Sequence, residues 1–468
     1  MSAVARSAIL GCAAALLTAC AAGPAYVRPT VDAVAHFREG EGWKPSEPAD
    51  VLSRGPWWEI FGDPVLNDLE QRIAISNHTV RAAAASAEQA RALVSQARSA
   101  LWPGINVTGQ RSRTTTNPDG GSPVHRTQNE VGVGATWNLD VWGQIRRSSE
   151  GQQANYQASE AALAAARLSA QTQLAVTYFE LRAQDRLQGL LGDIVRGQQE
   201  SLRIAESRFR FGVVAKADVV SARTQLLTSQ AQQLTASIQR ALYEHALAVL
   251  TGRPPADFAL DVAALRADVP TVPPGLPAAL LERRPDIAAA ERRVAASSAQ
   301  IGVARAAFFP AVSLTANADY TGSALSGLVR ASNRVWAFGP ALALNLFDGG
   351  LRRAQARAAR AAFDVSVEDY RQTVLAAFQQ VEDELVILRV LEKQAAISEQ
   401  AVAAAREAET LTLEQYKGGT VPYNSVIVAQ AARLNSEQSA LNVLLNRLTA
   451  SITMIEALGG GWSVAAGK

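Results

Sequence analysis

The side chains able to do chemistry are few and poorly placed for it. Four histidines, His36, His78, His125 and His245, lie far apart, with no spacing that lets two of them share a metal ion. No glycine-rich phosphate loop and no nucleophile elbow is written in the chain. Met1 and Met454 are the only methionines, which leaves no methionine relay for soft metals. Cys12 and Cys20 are the only cysteines, and around the second a reaction is indicated. Arg6, the apolar run Ala8 to Leu17 and then Leu17-Thr18-Ala19-Cys20 have the order of a bacterial lipoprotein signal over residues 1–19. On this reading Cys20 becomes the first mature residue and carries acyl chains, and more than one acyl chain makes an anchor stable. An ordinary cleavage site that happens to lie beside a cysteine is the plainer alternative. Ala21, rather than aspartate, follows the cysteine, which by the usual sorting pattern implies the outer membrane. On this reading no thiol remains for a disulfide, a metal or catalysis. The expectation is a protein that is no enzyme, with no catalytic residue, no metal and no cofactor.

Charge narrows the partners. The 468 residues carry 45 basic and 43 acidic side chains, a net charge of +2, so there is no footprint for nucleic acid or another polyanion. Beyond the N-terminus no apolar run of about 18 residues is present, so no membrane-spanning helix is expected.

The elements that dominate the chain are long helices. From about Gln144 to Phe211 there is no proline, and alanine, leucine, arginine, glutamine and glutamate prevail. Ala154, Ala158, Ala161, Ala165, Leu168, Thr172, Ala175 and Phe179 alternate steps of four and three, a seam of mostly small side chains. A second seam runs through Phe363, Val367, Tyr370, Val374, Ala377, Val381 and Leu385 in a helix expected at about 351–417. The chain says everything twice. Trp102-Pro103 returns as Phe309-Pro310, and Phe209-Arg210-Phe211-Gly212 as Tyr416-Lys417-Gly418-Gly419, each 207 residues later. Such a period is far above the 20–50 residues or so of a solenoid unit and indicates a duplicated half.

Each half also predicts shorter helices (about 77–101 and 216–250; about 285–309 and 422–457) and one β-hairpin. Proline at 103 and 310 stops a helix and favours a strand after it. The hairpins are expected at about 104–141 and 311–347, with polar loops at 114–129 and 321–333. Val131, Val133, Ala135, Trp137, Leu139 and Val141 share one face of a return strand, with Gly132, Gly134, Thr136, Asn138 and Asp140 on the other. Strands of about ten residues with this dyad pattern suit the wall of an outer-membrane barrel. Four strands cannot close in lipid, so the chain must associate with copies of itself. Three copies give twelve strands around an open pore; strand counting alone also allows two or four.

At this point the sequence resembles the TolC-like outer membrane factors, specifically the NodT-type lipoprotein branch. The resemblance rests on Trp57 to Asp68, on Leu276 to Asp286 running on to Phe309-Pro310, on Asn345 to Gly350, and on the paired turns at Phe209 to Asp218 and Tyr416 to Tyr423. It covers essentially the whole mature chain. It implies a mostly α fold with a membrane β-barrel portion: a duplicated α-barrel plus β-barrel, four strands per protomer, twelve in a homotrimer. The domains implied are a signal peptide (1–19), a lipidated arm (20–56), a first repeat (57–252), an equatorial linker (253–284), a second repeat (285–458) and a tail (459–468).

The resemblance further implies that the turns between long helices gate the duct and dock a periplasmic adaptor protein. The residues concerned are Phe209, Gly212, Val213, Val214, Ala215 and Asp218 at the first turn, and Tyr416, Gly418, Gly419, Thr420, Val421, Pro422 and Ser425 at the second. Family members often carry carboxylates at the second turn. This chain has Ser425 and Val428 there, so an acidic ring would have to come from Asp218, whose commoner fate is a helix N-terminal partner. The implied function is a passive conduit serving an adaptor and a proton-driven, RND-type inner-membrane pump that exports small toxic compounds or drugs. The alternatives are a duct for ATP-driven type I secretion and a trimeric structural lipoprotein that transports nothing.

Overall fold

The computed structural model describes residues 23–30, 37–40, 56–117, 121–265, 268–270, 272 and 283–460. Cys20, the signal peptide, most of the arm, much of the linker and the last eight residues lie outside these. Seven helices and four strands organise the described chain: α1 (Pro64–Ser76), α2 (His78–Ser99), β1 (Gly104–Thr116), β2 (Val124–Leu139), α3 (Gln144–Arg210), α4 (Lys216–Leu250), α5 (Pro285–Ala306), β3 (Ala311–Gly322), β4 (Arg334–Ala343), α6 (Leu351–Gly418) and α7 (Tyr423–Ala457). The long helices α3 and α6 have 67 and 68 residues, and no described helix is apolar enough to cross a membrane. Of the first small-residue seam only Ala165 is merely half-buried; the other seven positions are buried. Along the second, burial is complete from Tyr370 to Leu385.

The chain forms two compact units, one of residues 1–30, 85–160 and 289–372, the other of 31–84, 161–288 and 373–468. The first holds an antiparallel sheet in the order β1-β2-β3-β4. The duplicated hairpins pair through β2 and β3, from Leu139 opposite Val312 to Asn129 opposite Gly322. Register sets Ile105, Ala135, Ala316 and Phe338 in one row, and Val107, Val133, Ala318 and Trp336 in another on the same face. The alternate rows, Asn106, Gly134, Asn317 and Ala337 between them and Thr108, Gly132, Asp319 and Val335 next along, look out of the opposite face.

Two expectations for the sheet need correction. The first hairpin extends into what reads as a polar loop, since β1 continues to Thr116 and β2 starts at Val124, with thirteen cross-strand partners. Threonine is polar but β-branched, and Thr114, Thr115 and Thr116 hold extended backbone without apolar alternation. β4 instead stops at Ala343, short of Leu344, Leu346 and Phe347. There the chain bends into α6: Asp348 accepts from the backbone N–H groups of Gly350 (2.9 Å) and Arg352 (3.3 Å), and the Arg352 guanidinium also bonds Asn345 O. Asp140 does the same for α3, accepting from Ile145 N at 2.8 Å and Arg146 N at 2.9 Å.

Trp142 braces the foot of the first hairpin, stacked on Phe309 at 4.8 Å with its indole N–H donated to Pro310 O. The described part of the arm lies against α5, where Gly23 approaches Gly302 so closely that a Cβ would fall 2.6 Å from the Gly302 Cα.

In the second unit Asp63 caps α1, accepting from Val65 N and Leu66 N, and takes a 2.7 Å bond from the Tyr178 hydroxyl. Asp185 is the other anchor. It accepts from Arg182 Nη1 (2.8 Å), Arg240 Nε (2.7 Å) and Ala263 N (3.2 Å), while Arg182 also bonds Asp261 O and Arg240 bonds Leu260 O. These bonds hold part of the segment after α4 against α3 and α4.

Two carboxyls in this unit, Glu70 buried and Glu384 half-buried, lack such partners among the described residues. Both oxygens of Glu70 lack a hydrogen bond, and burial pushes its pKa well up. Burial, with the charge of Asp383, pushes Glu384 up to about 7. A raised folded-state pKa contributes stability that is complete at low pH and lost as pH climbs, for Glu384 between about 4.5 and about 7. Thermal unfolding followed by helical circular dichroism is therefore expected to show a lower Tm at pH 8 than at pH 5. Glu70→Gln with Glu384→Gln should flatten that slope; an unaltered slope would assign it to other groups.

Candidate functional site

The turns between the long helices are built from hydrogen bonds that only glycine permits. At the end of α3 the chain enters the left-handed region at Gly212 (φ 72), so that Gly212 N donates to Phe209 O and Val213 N to Arg208 O, both at 2.9 Å. At the end of α6 Gly419 (φ 79) does the same, with Gly419 N to Tyr416 O and Thr420 N to Gln415 O, both at 3.0 Å. These paired bonds close orphan carbonyls at a helix end. The Thr420 hydroxyl adds a further bond to Gln415 O, and Gly418 is the last helical residue. The following helices start from extended Ala215 and Pro422, the latter accepting from Ser425 N at 3.1 Å.

Both turns share one small core. Ala205 of α3, Ala222 of α4, Tyr416 of α6, and Tyr423 and Val426 of α7 are buried together, with Val219 and Val421 packed against them. Tyr416 and Tyr423 meet edge to face at 5.2 Å. Arg208 lies over the Tyr416 ring at 4.8 Å and donates to Tyr416 O, tying the two hairpins together. The Tyr416 hydroxyl has no hydrogen-bond partner among the described residues. Burial pushes the Tyr423 hydroxyl up to about 12, with a smaller upward push from Asp218. Asp218 stands half-buried in the first turn of α4, where the positive end of the helix favours it, and its charge is felt by both tyrosines.

Against this packed interior, the turn surfaces are apolar and open. Phe211 is 81% exposed, Val213 60% and Phe209 42%. The structure thus separates the expected residues: Tyr416 and Val421 belong to the core, Gly212 and Gly419 set the backbone, and Phe209, Val213, Ala215 and Pro422 are presented outward. Arg208, Ala205 and Ala222 carry no mark in the sequence, and Tyr423 enters there only as the end of the second turn stretch. The signal was present for Tyr423, which brackets the second turn with Tyr416 seven residues earlier.

Higher on the helices, Leu191 and Ile194 of α3 pack against Ala236 of α4 and Leu434 of α7. α6 joins α7 through Arg406–Glu437 and Arg433–Glu409. These helices carry exposed apolar side chains in heptad register, Val220, Leu227 and Leu234 on α4 at intervals of seven, and Val390 and Ile397 on α6 with Leu411 fourteen residues further on. The sheet is left open likewise. One face exposes Ile105, Val107, Val133, Trp137, Trp336, Phe338 and Leu342, and β1 and β4 are unpaired on their outer edges among the described residues. Its apolar rows run from Val131 to Leu139 along β2, about the nine to eleven residues of a tilted membrane strand.

Comparison with known proteins agrees with this geometry. A sequence model of the family described as outer membrane efflux protein matches residues 69–253 and again 276–460, the second match starting and ending 207 residues after the first. The solvent efflux pump outer membrane protein SrpC of Pseudomonas putida is 32% identical over 456 residues, covering 96% of this chain and 97% of that protein. The cation efflux system protein CusC of Escherichia coli O6:H1 is 28% identical over 454 residues, with 96% and 98% covered. Among solved structures, the outer-membrane channel OprN superposes with a TM-score of 0.87 at 28% identity, covering 95% of this chain and all of that one. The open state of the MtrE outer membrane channel of Neisseria gonorrhoeae gives 0.83 at 28% identity, covering 96% and 100%.

Proposed function

The chain belongs to the outer membrane efflux protein family, and from that premise we propose that it is the passive, trimeric outer-membrane duct of a tripartite efflux system. The observation that carries the reading is a four-stranded sheet with one exposed apolar face and two open edges. In lipid an open edge leaves backbone groups unsatisfied, at several kcal/mol each, so the sheet has to close on copies of itself. Three copies pair β4 of one protomer with β1 of the next and give twelve strands. In the helical part, the apolar stripe of α4 in one protomer packs on that of α6 in its neighbour, closing a helical wall. No bond is made or broken in such a duct, so the protein is no enzyme and needs no cofactor.

The paired turns, in this reading, are the docking and gating end. A periplasmic adaptor covers Phe209, Phe211, Val213, Ala215 and Pro422 and links the duct to an inner-membrane pump of the proton-driven, RND type. The cargo is small and toxic; the relatives' names include a solvent pump and a cation pump, and the duct passes what the pump selects. Cys20, lipidated, anchors the chain to the outer membrane.

Purified protein reconstituted into a planar bilayer is expected to conduct ions. A trimer that inserts yet carries no current would support a structural lipoprotein instead.

A further inference from the structure

We propose that Asp319, together with Glu130, gives the β-walled part of the pore a preference for cations; this rests on the conduit reading above. The face of the sheet opposite the apolar one looks into the lumen of a closed ring. On it, Gly132 of β2 stands between Thr108 and Asp319. A Cβ on Gly132 would fall 1.7 Å from Asp319 Oδ1 and 2.6 Å from its Cγ. The Asp319 carboxylate therefore lies across the bare backbone of β2, in space that any other residue at 132 would fill. One row on, a Cβ at Gly134 would meet the amide oxygens of Asn106 at 3.0 Å and Asn317 at 3.2 Å. The glycine track is thus overlaid by oxygen-bearing side chains from both neighbouring strands.

Glu130 shares this face two residues from Gly132, opposite Gln110 and Thr321. Neither carboxylate has a hydrogen bond or ion pair among the described residues, so neither charge is spent on a partner. The four strands place a single opposing cation on this face, Arg126, four residues from Glu130. At about 3.3 Å per residue that is roughly 13 Å along the strand, beyond an ion pair. Each protomer contributes two free carboxylates and one guanidinium, and three protomers multiply the imbalance. Charge of one sign on low-dielectric walls concentrates counter-ions in the space they enclose. The Debye length is about 3 Å at 1 M salt and about 30 Å at 0.01 M, so the preference should strengthen as salt is lowered.

Reversal potentials of the reconstituted protein across a KCl gradient test the assignment. The natural protein is expected to prefer potassium at low salt and to lose the preference near 1 M. Asp319→Asn with Glu130→Gln should move the permeability ratio toward unity by about twofold or more at low salt. Gly132→Ala, which displaces the Asp319 carboxylate, should shift it in a single substitution. A conducting double variant with an unchanged ratio would overturn the assignment, as would loss of selectivity from Asp218→Asn alone, which would put the filter at the helical turns. Absence of current from every variant and from the natural protein would instead remove the conduit reading, and this inference with it.

Discussion

Replacing Phe211 and Val213 together by aspartate is expected to abolish efflux while leaving assembled trimers in the outer membrane. Both side chains stand in water at the end of the first hairpin, held there by the Gly212 turn rather than by packing. Full burial of an apolar side chain of this kind is worth about 1.5–3 kcal/mol, so a partner covering both gains on the order of 3–6 kcal/mol per protomer. Aspartate removes that gain and adds a charge that must be desolvated. Adaptor binding should weaken by more than about a hundredfold, since each 1.4 kcal/mol or so is tenfold. Drug or dye accumulation should match that of a deletion strain, with trimer abundance unchanged on gels. Wild-type accumulation in the variant would show that the adaptor does not need this surface.

The second large effect is structural. Asp185→Ala strips two guanidiniums of their shared carboxylate, Arg182 at 3% side-chain exposure and Arg240 at 14%. Removing one partner of a buried ionic cluster typically costs about 3–5 kcal/mol, because charge remains buried without compensation, here that of Arg182, since Arg240 keeps Glu244 at 3.3 Å. Ala263 N loses its acceptor in the same step. The expected result is a large fall in Tm, with little protein reaching the membrane. Asp185→Asn, which keeps the shape and some hydrogen bonds, should fall between. A Tm for Asp185→Ala within a degree or two of the natural protein's would mean that solvent takes over the pairing.

What could be read from the sequence was whatever repeats or alternates. Steps of three and four gave the seams through Ala175 and Val381, and the period of two gave the faces of β2 and β3. The separation of 207 gave the duplicated hairpins. Ends were less legible. Thr114 to Thr116 read as loop because polarity, which marks turns, also marks strands that leave the apolar zone. Contacts between distant segments were not legible at all. Arg208 meets Tyr416 across 208 residues, and Asp185 gathers Arg240 and Ala263 from beyond the first turn. Nothing local marks Ala205 and Ala222 as the small residues that let four helices converge at the turns. The glycine track at 132 and 134 is visible as composition. Only register shows that Asp319 occupies the first gap.

If the helical turns are the docking end of an efflux duct, a photo-crosslinking residue at Ala215 or Pro422 stands within reach of the adaptor. In cells of the natural host it should capture a periplasmic adaptor encoded with a proton-driven pump. Capture of an adaptor for an ATP-driven exporter would move the protein to secretion. Stable outer-membrane trimers with no adaptor captured from either position would mean that the turns are not a docking end.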